Sequence, residues 1–184
     1  MKRIIVCFFI VSFISLFSFQ SFSQEVNIFS EGKPIEISFV ECTHPSSIHS
    51  VKVDREKWKI YWKWDNKKLS WCRWRTKITP EINLSEYFEN GYFIVNFIGA
   101  YQGDPPQVVL IYSGEKHTNP INLSRYFIEG SPELGVTVKI PLREFKWDPD
   151  LSKNSIKLRA IQFDAGYNSF YGKITITRIG LSRD

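Results

Sequence analysis

The sequence feature that most constrains the fold is residues 57–77, which contain five of the six tryptophans of the chain. From residue 57 to residue 64, aromatic or aliphatic residues alternate with basic ones at period two, a pattern typical of a half-buried strand. Residues 65–68 are polar turn formers. Residues 69–76 then have the pattern of a returning strand, so the sequence predicts a β-hairpin here.

Tryptophan in such a strand can either fill a core or stack on a ligand ring. Three of the tryptophans fall on the strand face that the alternation predicts to be buried: Trp58, Trp62 and Trp74. Trp71 is out of phase with Trp74 and shares its face with Arg73, so we expect an exposed ring there. Trp64, beside the predicted turn, is a second candidate. The basic residues between the tryptophans are either solvated or part of a binding surface.

The N-terminus has the organisation of a secretory signal peptide. Lys2 and Arg3 precede an apolar run over residues 4–19, and small residues follow at 21–23. We predict cleavage between Ser23 and Gln24, which leaves residues 24–184 as a single domain, secreted or periplasmic. The apolar run is short for a membrane span and no second one follows, so we expect no span after cleavage.

Charge and cysteine content narrow the function classes. Loss of residues 1–23 lowers the formal net charge from +5 to +3, which is weak for nucleic-acid binding but suits an anionic glycan or surface. The remaining cysteines, Cys42 and Cys72, are even in number in an oxidising compartment, which favours one disulfide. Two buried free thiols are the alternative.

The rest of the chain predicts an all-β fold. Short strand patterns separated by Gly- and Pro-containing turns indicate a two-sheet antiparallel jelly-roll sandwich. The strands are predicted at 35–42, 48–53, 92–98, 107–113, 136–140, 156–163 and 173–181, after a polar lead-in over 24–33. Residues 82–91 and 121–130 are identical at seven of ten positions, and we interpret each copy as a short helical connector.

These strands suggest a family. Residues 92–98, the segment VTVKIPLREF at 136–145 and the closing segment ITITRIGL at 174–181 resemble the galactose-binding-domain-like jelly roll. The chain is similar to carbohydrate-binding modules, including the non-catalytic C-terminal module of secreted exo-glucanases. The resemblance implies glycan binding by aromatic residues on a concave face or at loop tips, often with a structural calcium. Arg178 stands where relatives often have aspartate, which argues against a metal ligand at that position.

No pattern in the chain has the organisation of an enzyme site. The three histidines lack a metal-binding spacing. Four aspartates could supply the carboxylate pair of a glycoside hydrolase, but all lie in predicted loops, where aspartate is common for turn reasons. They are Asp104, Asp148, Asp150 and Asp164. We therefore expect a non-catalytic protein.

Aromatic residues beside short polar groups favour a sugar-binding site. Trp147 lies in a polar arm, Tyr101 in a Gly/Pro-containing loop, and Tyr167 next to Asn168. The predicted ligand-binding residues are Trp64, Trp71, Arg73, Tyr101, Trp147, Tyr167 and Asn168. The sequence thus predicts an exported protein that binds a poly- or oligosaccharide. The alternative is a periplasmic or cell-surface interaction domain whose tryptophan hairpin docks a protein partner.

Overall fold

The computed structural model describes residues 25–30, 37–42, 58–63, 71–152, 155–166 and 169–183. In this part of the chain the strands form two six-stranded antiparallel sheets. Sheet 1 contains β1 (Glu25–Ser30), β3 (Trp58–Lys63), β5 (Gly91–Gly103), β9 (Phe127–Ser131), β10 (Gly135–Pro141) and β12 (Ser169–Arg183). Sheet 2 contains β2 (Ile37–Cys42), β4 (Trp71–Asn83), β6 (Gln107–Tyr112), β7 (Lys116–His117), β8 (Ile121–Asn122) and β11 (Lys157–Gly166).

Each sheet is built around two long strands. Sheet 1 has the order β1-β12-β5-β10-β9, with β3 also paired to β12. Sheet 2 has the order β2-β4-β11-β6-β7, with β8 also paired to β6. The helical segments of the described residues are three short 3-10 turns, Ser113–Glu115, Leu123–Tyr126 and Leu142–Glu144. The predicted all-β, two-sheet sandwich is confirmed.

The core lies between the sheets and follows from period-two alternation. Strand β10 alternates buried and half-buried residues along its whole length, and in β4 Cys72, Trp74, Thr76 and Ile78 are buried while the residues between them are not. Trp74 is fully buried and stacks on Phe163 with ring centroids 6.0 Å apart. The predicted core role of Trp74 is therefore confirmed, whereas the side chains of Trp58 and Trp62 lie outside the described residues.

The predicted tryptophan hairpin is wrong. Trp62 pairs with Gly172 in sheet 1, whereas Trp74 pairs with Phe163 of β11 and with Val40 of β2 in sheet 2. Alternation defines where a strand runs and which face it buries, but it does not identify the partner strand. Two adjacent alternating segments therefore gave a hairpin pattern although each pairs with a distant part of the chain.

Several strand limits also differ from the prediction. The expected polar lead-in is strand β1, and its Phe29 is only 1% exposed. Residues 25–28 alternate in burial, but a bulge between Asn27 and Phe29 ends the alternation, which leaves the period-two signal too short to predict a strand. Residues 164–172, between the strands predicted at 156–163 and 173–181, consist mostly of the ends of β11 and β12. The strand predicted at 48–53 lies outside the described residues.

The two similar segments form tight turns that begin in the same way. The backbone N–H of Ser85 donates to Asn83 Oδ1, and that of Ser124 donates to Asn122 Oδ1, both over 3.0 Å. The leucine between each pair is fully buried. Only the second copy continues as a 3-10 helix, while the first forms hydrogen-bonded turns over residues 85–90, so the expected helix there is not formed. The repeated sequence is a turn motif that caps a strand end.

None of the helices in the described ranges is long and apolar enough to cross a bilayer.

Candidate functional site

The outer face of sheet 2 carries a row of hydrogen-bonded polar side chains. Register places Arg73 opposite Asp164 and Arg75 opposite Gln162, and all four alternate with buried residues of β4 and β11. Arg75 Nη2 donates to Gln162 Oε1 over 2.9 Å. Gln162 Nε2 in turn donates to Asp164 Oδ1, also over 2.9 Å. We call these four residues the polar row.

Carboxylates on neighbouring segments extend the polar row at both sides. Arg73 Nε lies 3.8 Å from Asp164 Oδ1, and Arg73 Nη1 lies 3.8 Å from Glu41 Oε2 of β2. Arg75 Nη1 lies 3.7 Å from Glu115 Oε2, at the turn after β6. These distances are those of ion pairs rather than of tight hydrogen bonds. Each guanidinium group therefore has side-chain partners on two segments, β2 and β11 for Arg73 and β11 and the turn after β6 for Arg75.

The middle of this outer face is shielded from solvent. Gln162 is only 3% exposed. Val109, which pairs with it, and Ile111, which pairs with Ala160, are buried too although they do not belong to the core between the sheets. Burial raises the pKa of Asp164, against the opposing effects of Arg73 and of the Gln162 hydrogen bond. Burial also lowers the pKa of His117, and Arg75 adds to this effect. A ligand here would meet fixed donors and acceptors in a poorly hydrated setting, which strengthens hydrogen bonds.

Trp71 and Tyr101 lie at one end of the sandwich. Trp71 is the first residue of β4, opposite Gly166 and two positions before Arg73. Tyr101, near the end of β5, is half-buried with its ring centroid 6.4 Å from that of Phe97. Burial, followed by the charges of Glu133 and Asp104, raises the pKa of Tyr101.

The strand register brings the end of β11 and the start of β12 to this same end. Gly103, at the end of β5, pairs with Ser169 at the start of β12, and β11 ends opposite Trp71. In the sequence, Tyr167 and Asn168 come between β11 and β12, but they lie outside the described residues, as does Trp64. Of the predicted binding residues, the structure thus places Trp71, Arg73 and Tyr101 at one end of the molecule.

Trp147 lies at the opposite end. Its ring centroid is 5.0 Å from that of Tyr112, the last residue of β6, and 5.4 Å from that of Phe88. Its Nε1 donates to the carbonyl oxygen of Leu142 over 2.8 Å. The length of strand β6 separates this cluster from the end that holds Trp71. That length is about 17 Å at the usual rise per residue. The structure therefore does not bring Trp147 together with the other predicted binding residues.

The polar row is not predicted as a unit from the sequence. Its signal is present in the sequence, because Arg-x-Arg at 73–75 and Gln-x-Asp at 162–164 each have the period of one strand face. Only the antiparallel register of β4 with β11 shows that the two patterns are opposite each other. Arg75 and Gln162 are the residues that were missed.

Arg178 does not supply a calcium ligand. Its guanidinium group forms an ion pair with Glu25 of β1, whereas calcium takes oxygen ligands. Within the described ranges no three His, Cys, Asp or Glu side chains come together as a metal site.

The two-sheet antiparallel sandwich is a fold that solved carbohydrate-binding modules adopt. The model of the family carbohydrate binding domain 30 matches residues 25–183, and the chain belongs to this family. It is a family of carbohydrate-binding domains rather than of catalytic domains. No curated protein matches the chain.

Solved structures of carbohydrate-binding modules have the same fold. A family 30 carbohydrate-binding module is 16% identical with a TM-score of 0.59, covering 88% of this chain and 99% of the module. The family 30 module of a cellulosomal cellulase of Clostridium thermocellum is also 16% identical, with a TM-score of 0.56 and coverage of 88% and 98%. A family 11 module of the same organism, solved with a β-1,3-1,4-mixed-linked tetrasaccharide, is 10% identical with a TM-score of 0.51 and coverage of 86% and 94%.

Proposed function

We propose that this protein is exported and binds a poly- or oligosaccharide, without catalysis, along the outer face of sheet 2 and the end of the sandwich beside it. The observation that carries the proposal is the polar row, in which Arg75, Gln162 and Asp164 are joined by hydrogen bonds of 2.9 Å. Gln162 is buried and holds the partly exposed side chains of Arg75 and Asp164 in place. Sugar hydroxyls both donate and accept, so these fixed charged groups can orient them.

Aromatic residues supply the stacking surface in this proposal. Trp71 begins the strand that carries Arg73 and Arg75, and by alternation it has the same phase. Tyr101 lies at the same end of the sandwich. Tyr167, Asn168 and Trp64 stay predicted ligand residues that lie outside the described residues. Trp147 stays a predicted ligand residue, but its ring and Nε1 already contact this chain's own residues.

Export and a disulfide are part of the same proposal. The charged and apolar pattern of residues 1–23 supports a signal peptide. Cys42 and Cys72 are opposite each other in the register of β2 and β4, and Cys72 is fully buried. Adjacent antiparallel strands bring opposite Cα atoms to about 4.5–5.5 Å, within the range that a disulfide spans.

Docking of a protein partner by a tryptophan hairpin, the alternative prediction, has lost its structural basis. Trp58–Lys63 and Trp71–Asn83 belong to different sheets, so they do not form a hairpin.

The test is affinity electrophoresis of the purified protein in gels containing a mixed-linkage β-glucan, with Trp71→Ala, Trp71→Phe and Tyr101→Ala variants. Trp71→Ala should weaken binding about tenfold or more, as expected for a central aromatic contact, and Trp71→Phe should lose less. Tyr92→Ala is the matched control, because Tyr92 lies under Lys139 Nζ at the other end of β5. Equal retardation of folded parent, Trp71→Ala and Tyr101→Ala proteins would contradict the proposed site.

A further inference from the structure

The outer face of sheet 2 also contains a cavity with an excess of positive charge. Its volume is about 440 Å³, and it shares Arg75 with the polar row. Three basic side chains and two acidic ones contribute to its walls. The lining residues are Arg75, Lys77, Ile78, Thr79, Pro80, Glu81, Glu115, Arg159 and Ala160.

Both carboxylates of the cavity are already paired. Arg159 Nε lies 2.7 Å from Glu81 Oε1, and Arg159 Nη1 lies 3.0 Å from Glu115 Oε1. The second oxygen of Glu115 is 3.7 Å from Arg75. Paired in this way, Glu81 and Glu115 contribute little net negative field to an incoming group.

Lys77 is the remaining cation. It is exposed on β4, two residues after Arg75, and among the described residues it has no carboxylate within ion-pair distance. The hydroxyl of Thr79, which is exposed on the same strand, adds a donor. An unpaired ammonium at the rim of a cavity whose acidic groups are neutralised attracts a single anionic group of a ligand.

The position of the cavity relates it to the rest of the proposed site. Trp71, Arg73, Arg75 and Lys77 are alternate residues of β4, and the pairing of β4 with β11 is regular from Trp71 to Lys77, so they share one phase of the strand. From Trp71 to Lys77 this series spans about 20 Å at the usual strand rise. A glycan chain lying along β4 from the end of the sandwich would therefore reach the cavity.

We propose that the protein prefers acidic glycans and that Lys77, at this cavity, binds the carboxylate of a uronate unit. This inference rests on the proposed carbohydrate-binding function and adds the chemical class of its ligand. Neutral sugar units would contact the polar row, while the charged unit occupies the cavity beside Lys77 and Thr79.

The experiment compares two matched ligands by isothermal titration calorimetry with the purified protein. One is a β-1,4-linked gluco-oligosaccharide, and the other is the same oligosaccharide with its primary alcohols oxidised to carboxylates. The oxidised ligand should bind about three- to fivefold more tightly, in the upper range for an exposed ion pair. The preference should disappear at about 1 M salt, where the Debye length is about 3 Å.

Variants at Lys77 test whether this lysine causes the preference for the oxidised ligand. Lys77→Gln should abolish the preference and leave the affinity for the neutral oligosaccharide unchanged, while Lys77→Arg should retain it. Lys157→Gln, another exposed lysine of sheet 2, is the matched control and should have no effect. Because Lys77 is exposed, loss of folding is not expected, and thermal unfolding of each variant checks this.

The outcomes separate this inference from the function on which it rests. Neutral and oxidised ligands bound equally would overturn the preference for acidic glycans and leave carbohydrate binding in place. A preference unchanged in Lys77→Gln would overturn the assignment to this cavity. No binding of either ligand, or of mixed-linkage β-glucan, by folded protein would overturn the proposed function itself.

Discussion

At the scale of single residues, folding shifts the pKa values of Asp164 and Asp148 in opposite directions. Burial raises the pKa of Asp164 despite Arg73 nearby, so the folded state favours its neutral form. The side-chain hydrogen bond from Lys116 lowers the pKa of Asp148, so the folded state favours its charged form. The two carboxyl groups should therefore respond oppositely to pH.

We expect Asp164→Asn to stabilise the protein at neutral pH relative to the parent. The contribution of Asp164 to stability is greatest below its unfolded pKa, near 3.8, and declines as pH rises through its higher folded pKa. The difference in free energy of unfolding between variant and parent should thus increase in the variant's favour from about pH 3 to pH 7. Urea unfolding across this range measures it.

Asp148→Asn provides the opposite case as a control. Its stabilising contribution is present above the unfolded pKa, near 3.8, and is lost as pH falls through the lower folded pKa. This variant should therefore be less stable than the parent at neutral pH, and the difference should shrink in acid. If Asp164→Asn shows the same pH trend as Asp148→Asn, burial is not the dominant influence on Asp164.

Trp147 is expected to act first through packing. Its half-buried ring contacts Phe88, Tyr112 and Phe145, so Trp147→Ala should lower the free energy of unfolding by about 2–4 kcal/mol. Trp147→Phe keeps a ring but loses the hydrogen bond to Leu142, which costs about 1 kcal/mol. Chemical unfolding followed by glycan titration of the folded fraction distinguishes packing from ligand contact. Lost glycan affinity without lost stability would contradict the packing role.

At the scale of elements, the two Asn-Leu-Ser segments show how a short sequence specifies a strand end. In each, asparagine accepts from the backbone N–H two residues later, and the leucine between them is buried. The Asn122 side chain also accepts from the hydroxyl of Ser124. The repeated sequence therefore reflects a repeated local structure rather than a repeated domain.

Removal of this cap should have a measurable cost. We expect Asn122→Ala to lower the free energy of unfolding by about 1 kcal/mol, the usual value for losing a side-chain cap. Asn122→Asp keeps an acceptor oxygen at the same position and should cost much less. Thermal unfolding of both variants and the parent tests this, and equal losses in the two would mean that the Asn122 Oδ1 acceptor does not stabilise the turn.

At the scale of the whole molecule, the sequence predicts which face of a strand is buried better than it predicts which strands pair. Alternation correctly placed Trp74 in the core, and the strand at 136–140 lies within β10, a strand of strictly alternating burial. It could not show that β3 pairs with β12 instead of β4, because side-chain period carries no information on sequence-distant partners. The polar row was missed for the same reason, since Arg75 and Gln162 are 87 residues apart in the chain.

The proposed disulfide joins two neighbouring strands of sheet 2 and should therefore stabilise the whole fold. Cys42 and Cys72 join the edge strand β2 to β4, so a bond between them closes a loop of about 30 residues and should stabilise the fold by about 3–4 kcal/mol through the unfolded chain. Reduction should then lower the melting temperature by roughly 6–16 °C for a domain of this size. The Cys42→Ser, Cys72→Ser double variant should melt at the lower temperature with or without reductant. A parent protein with two titratable thiols when unfolded without reductant, and no shift on reduction, would show that β2 is held by its hydrogen bonds and packing alone.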